Sequence, residues 1–178
     1  MGESAKLLNP DKTVLMPDLA ADCPMAHMVT KETVQAARDQ YDDLAVVCYI
    51  NSTQEIKSWS DVCVTSANAV KIVKNLPNKH ILFIPDRNLA HFVAAAVPEK
   101  EFIYNEGFCI VHEFMQVEEL LDLKAEHPDA KYWFTRNAII KLLKSQILSD
   151  RQAELSILPG RAATKNLSLA RSAVFLQN

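Results

Sequence analysis

Glycine is scarce in this chain: Gly2, Gly107 and Gly160 are the three glycines in 178 residues. No Gly-rich run exists to cradle a phosphate, so a nucleotide-binding loop of the usual kind is excluded. Cysteine is sparse and unpaired in spacing, with Cys23, Cys48, Cys63 and Cys109 forming no C-x-x-C motif. A zinc knuckle and a disulfide scaffold both lose support. Positive charge is not in excess either, since the formal net charge is -3. This gives no electrostatic footprint for nucleic acid or for an anionic membrane surface. No apolar run approaches the roughly 20 residues needed to span a bilayer, and Met1-Gly-Glu-Ser-Ala-Lys-Leu-Leu8 lacks the core of a signal peptide. The expected location is the cytoplasm, with no membrane and no nucleic-acid partner.

What is present is enough apolar residue to build a core: 49% hydrophobic against 23% charged. Short β-rich runs alternate with segments of helical period. The strands expected are Thr13–Met16, Leu44–Ile50, Val62–Val64, Ile81–Ile84, Phe108–Val111 and Tyr132–Phe134. The helices expected between them are Lys31–Gln40, Ala67–Asn75, Asn88–Ala96 and Val117–Ala125, where apolar residues such as Val70, Val73 and Leu76 recur at helical spacing. This alternation predicts an α/β fold, a three-layer αβα domain with a parallel sheet, followed by part of a second similar domain. In such sheets ligands sit beyond the carboxyl ends of the strands, where Cys23, Asn51, Ser66, Asp86 and His112 all fall. After Asp150 the rhythm fades, and basic residues outnumber the single acidic Glu154.

Each candidate has a plain structural reading as well. Asp18 and Asp86 follow Pro17 and Pro85 at the ends of apolar runs, as strand terminators with a helix-capping carboxylate would. Cys48 and Cys63 lie within apolar runs and are expected to be buried core thiols. Cys23 and Cys109 lie on loops, where a thiolate can hold a soft metal, or where a thiol can simply be buried. Ser66 opens a helical stretch and could cap it or bind an anion there. His112 could be a satisfied histidine ahead of a Glu113–Ala125 helix. Tyr49 and Asn51, two apart on a strand, are expected to share a side.

Five ordered motifs carry a resemblance to a known family: Asp18-Leu-Ala-Ala-Asp-Cys-Pro-Met25, Val47-Cys-Tyr-Ile-Asn-Ser-Thr53, Thr65-Ser-Ala-Asn68, Ile84-Pro-Asp-Arg-Asn-Leu89 and Cys109-Ile-Val-His112. In order and approximate spacing the stretch from about Gly2 to Lys131 resembles quinolinate synthase, an iron-sulfur enzyme of NAD biosynthesis. The resemblance implies a transferase that condenses iminoaspartate with dihydroxyacetone phosphate to quinolinate. It implies a [4Fe-4S] cluster acting as a Lewis acid, with Cys23 and Cys109 as two of its three cysteine ligands. Tyr49 and His112 would be catalytic, while Asn51 and Ser66 would bind substrate.

The expected division is 1–10 as a remnant of a preceding domain or linker, 11–100 as the family's second domain, 101–136 as the start of the third, and 137–178 as a divergent tail. No cysteine follows Cys109, and Lys131-Tyr-Trp-Phe-Thr-Arg-Asn137 stands where the family carries a His-Pro-Glu motif. The expectation is therefore a partial form, inactive alone and completed by another chain or a homodimer. The competing reading is a non-catalytic α/β module that binds a small dicarboxylate or phosphate metabolite.

Overall fold

Two apolar runs, Leu44-Ala-Val-Val-Cys-Tyr49 and Ile81-Leu-Phe-Ile84, decide the architecture, because a strand apolar at successive positions must be covered on both faces. A computed structural model of the protein describes residues 2–18, 20–114, 116–128, 131–134 and 174–177. The chain divides into two compact units, Met1–Phe108 and Cys109–Asn178.

The first unit runs α1 (Gly2–Leu8), a 3-10 turn (Pro24–His27), α2 (Lys31–Gln40), β1 (Leu44–Tyr49), α3 (Gln54–Ser58), β2 (Val62–Val64), α4 (Ala69–Asn75), β3 (His80–Ile84), α5 (Arg87–Ala96) and β4 (Glu101–Tyr104). The four strands form one parallel sheet in the order β2-β1-β3-β4. Alternation along the strands separates two cores. Ala45, Val47, Ile81 and Phe83 face α4 and α5, packing on Ala69, Val73, Leu89 and Val93. Leu44, Val46, Cys48, Leu82 and Ile84 face α2 and α3, packing on Val34, Ala37 and Ile56. The expected three layers and parallel sheet are thus observed.

Helix starts follow local chemistry. Thr30 and Thr53 cap α2 and α3 by accepting the Thr33 and Ile56 backbone N–H groups. Asp86 is fully buried and caps α5, with Oδ1 accepting from Asn88 N at 2.9 Å and Leu89 N at 3.2 Å. The capping role expected for Asp86 therefore holds. Asp18 instead accepts the Ala20 N–H at 2.8 Å in a local turn, and no helix begins there. At the carboxyl end of the sheet, Asn105 follows β4 and is buried, donating through Nδ2 to Met28 O at 3.0 Å and to Pro85 O at 2.9 Å. Gly107 leaves no room for a side chain, since a Cβ there would lie 2.4 Å from Pro85 O. The close approach lets Arg87 N donate to Gly107 O at 2.8 Å.

Two expected strands are not strands. Residues 13–16 join no sheet among the described residues, and Leu15 is 84% exposed. The sheet's last strand is Glu101–Tyr104 instead of Phe108–Val111, and Ile110 and Val111 are exposed on a helix. That helix, α6 (Ile110–Glu113), belongs to the second unit, with α7 (Val117–Glu126) and an antiparallel pair of β5 (Lys131–Phe134) with β6 (Val174–Gln177). The expected Val117–Ala125 helix is thus observed as α7, while Glu113, expected at the start of that helix, instead ends α6. The rest of the 137–178 tail lies outside the described residues.

Candidate functional site at the carboxyl end of the sheet

The loops after β1, β2, β3 and β4 carry Asn51, Ser66, Asp86 and Asn105, so polar residues gather where a parallel sheet presents its ligand-binding edge. Beside the loop after β1 lies a cleft of about 640 Å³ whose lining includes Met16, Asp22, Cys23, His27, Asn51 and Ser52.

Cys23 is the center of this cleft's polar contacts. It is half-buried and stands at the N-cap of the 3-10 turn in an extended backbone conformation, where Pro24 takes the first turn position. Pro is favoured there because its missing N–H costs no hydrogen bond. The Cys23 side chain makes no cap bond to its own turn. Its sulfur accepts instead from Asn51 Nδ2 at 3.1 Å, across 28 positions of sequence. This amide contact holds the sulfur against the loop after β1. Asp22 supports the same residue from the other side. Its Oδ1 accepts the Cys23 N–H at 2.7 Å and its Oδ2 pairs with His27 Nε2 at 2.7 Å. The Cys23 N–H first, and then His27, hold the Asp22 carboxyl below the usual carboxylate range.

The other expected residues have different settings. Tyr49 ends β1 and packs, half-buried, against the core shared with α4 and α5. Asn51 lies beyond the end of β1, so strand alternation does not govern it, and Tyr49 is not part of the cleft lining. Ser66 is half-buried in the turn before α4 and does not line the cleft. The cap position of α4 belongs to Asn68, whose Oδ1 accepts from Thr65 N at 2.7 Å, which corrects the capping expected of Ser66. In the second unit, Cys109 is the half-buried N-cap residue of α6 and His112 lies on that helix.

Cys48 is buried, and burial pushes its thiol up to about 11. Cys63 is exposed, against expectation. It sits beside Cys48 in register, but on the edge strand β2, past the cover that α2 and α3 give to β1. Asp22 and His27 were not among the expected site residues. Their signal was weak, because nothing in Asp22-Cys-Pro-Met-Ala-His27 shows that a short turn will fold the two ends together.

Among the described residues no group of three His, Cys, Asp or Glu side chains is placed to hold a metal ion.

The family model described as NadA, quinolinate synthetase A protein, matches residues 1–147. The chain belongs to the NadA family. It is 54% identical over 131 residues to a quinolinate synthase of Fusobacterium nucleatum, covering 74% of this chain and 44% of that one. It is 52% identical over 130 residues to one of Caldicellulosiruptor saccharolyticus, covering 73% of this chain and 43% of the relative. A Clostridium perfringens quinolinate synthase is 51% identical over 127 residues, covering 71% and 42%. The chain therefore spans less than half the length of these curated relatives. The NadA match also runs past Lys131, where the recognisable motifs end, into the stretch expected to diverge.

Proposed function

We propose that this chain forms the cysteine-bearing middle of a quinolinate synthase, an enzyme of NAD biosynthesis that condenses iminoaspartate with dihydroxyacetone phosphate, releasing phosphate and water. The observation that carries the reading is the Asn51 amide directed at the Cys23 sulfur in a cleft at the carboxyl end of a parallel sheet, within a chain of the NadA family. In this reading Cys23 and Cys109 supply two thiolates of a [4Fe-4S] cluster. When bound, such a cluster supplies Lewis acidity toward a substrate oxygen or nitrogen. Asn51 and Ser66 orient a substrate carboxylate or phosphate by hydrogen bonds, Tyr49 moves a proton, and His112 hydrogen-bonds near the reacting atoms.

The 178 residues contain no cysteine after Cys109, Cys48 is buried in the core, and Cys63 lies on β2 outside the lining of the Cys23 cleft. The third thiolate must then come from sequence or a chain beyond these residues. A non-catalytic metabolite-binding module is the second reading, and the absence of a three-ligand group among the described residues favours it for the chain alone.

Grafting residues 1–131 in place of the matching stretch of the Fusobacterium nucleatum relative tests the proposal. The chimera is expected to form quinolinate and to show cluster absorbance after anaerobic reconstitution, and Cys23→Ser is expected to abolish both. A chimera that keeps cluster and activity with Cys23→Ser would refute the ligand assignment. The 178-residue chain alone, given iron and sulfide, is expected to hold no stable cluster.

A further inference from the structure

The loop that carries Cys23 contains a contact with no part in the reading above. Asp22 uses both carboxylate oxygens, one on the Cys23 N–H and one on His27 Nε2, each at 2.7 Å. His27 is the last residue of the 3-10 turn and Cys23 is its N-cap, so the carboxylate clamps the entry of the turn to its exit. At the two ends of the turn, Ala26 N donates to Cys23 O at 2.9 Å and Met28 N donates to Met25 O at 3.1 Å. Pro24 has no N–H to give, and the Cys23 side chain does not bond to the turn. With no cap bond from Cys23 itself, the bridged carboxylate is the side-chain tie that joins the Cys23 backbone to the exit of the turn. The pair is exposed, with side chains 66% and 56% accessible, so it contributes little to global stability. Its effect is on placement, where an error of about 1 Å can cost on the order of 100-fold in a reaction.

We infer that Asp22 and His27 are positioning residues for Cys23: the bridged carboxylate fixes the Cys23 backbone so that its sulfur meets the Asn51 amide and faces the cleft. The inference rests on the reading of Cys23 as the functional sulfur of this cleft.

The four thiols of the whole chain supply the test. Iodoacetamide alkylation, followed cysteine by cysteine by peptide mass spectrometry, uses exposed Cys63 as the rate reference and buried Cys48 as the monitor of an intact fold. Asp22→Ala and His27→Ala are expected to raise the Cys23-to-Cys63 rate ratio roughly two- to fivefold, the population change a surface pair of this kind commands. His27→Gln, whose amide can still donate to Asp22, is expected to restore the wild-type ratio. Asn51→Ala is expected to raise the ratio too, and combining it with Asp22→Ala should add nothing, because both substitutions remove one and the same contact. An unchanged ratio in both alanine variants, an additive double variant, or simultaneous labelling of Cys48 would each overturn the inference. Alkylation needs no metal, so an unchanged ratio would leave the ligand assignment intact. A chimera that stays active with Cys23→Ser would leave a shifted ratio standing.

Discussion

Replacing Asn105 by Ala should loosen the carboxyl end of the sheet more than any exposed change. The amide is 7% exposed and its single nitrogen joins three segments: β4, which it follows, the loop after β3 through Pro85 O, and the residue after the 3-10 turn through Met28 O. Each hydrogen bond is worth about 1 kcal/mol net, and a carbonyl left buried without a partner costs about 1–3 kcal/mol. The Pro85 bond is buried and the Met28 bond partly so, which places the loss at about 2–4 kcal/mol. Asn105→Asp keeps the shape but sets a carboxylate against two carbonyl oxygens, and should cost more than Ala. Protection of Cys48 against alkylation across a urea series reads the opening of this unit alone. Its thiol is fully buried and pushed up to about 11, so it reacts once the core opens. An alanine variant within about 0.5 kcal/mol of wild type would refute the reasoning, because surface changes alone give that much.

Phe83→Ala empties the most voluminous fully buried side chain among the described residues and should cost about 3–5 kcal/mol in the same assay. At pH 8, Cys48 should be the slowest of the four thiols to alkylate, since burial raises it to about 11 and leaves it neutral well above that pH. The opposite end of the sheet sets an acid limit. Asp43 is held low by the Lys79 N–H and by His80, and Glu101 by the Lys79 ammonium. Both folded carboxyls sit below their ordinary values of 3.8 and 4.5, so their contribution is complete above that range and is lost as pH falls through and below it. Asp43→Asn and Glu101→Gln should flatten the acid limb of a stability–pH curve while leaving its shape near pH 7 unchanged; an unaltered acid limb would count against this account.

Much of the fold could be read from residue order because β1 and β3 are central strands. Both faces of each are buried, so apart from His80 at the start of β3 the positions are apolar and the runs stand out. The helices packed on them were legible for the matching reason, a single apolar stripe at helical spacing. The edges were not. Glu101–Tyr104 covers one side of β3 with mixed exposure, while Thr13–Met16 has the same apolar look but pairs with no strand among the described residues, and pairing is a property of the assembled sheet. Cys63 makes the same point: its run matches that of a core strand, and its exposure comes from its place at the rim.

The family motifs named Cys23, Asn51, Ser66, Tyr49, Cys109 and His112 without any coordinates. Tertiary structure decided which of these touch. Asn51 reaches the Cys23 sulfur because β1 ends at Tyr49 and releases the chain beside the 3-10 turn, whereas Tyr49 turns into the core. The Asp22–His27 clamp also appeared only in the folded chain, since a carboxylate five residues from an imidazole is unremarkable until a short turn closes the distance to 2.7 Å. Apolar patterning is a local property that burial imprints on neighbouring residues. A directed contact between polar side chains depends on the paths of separate segments, and those are set when the two cores pack.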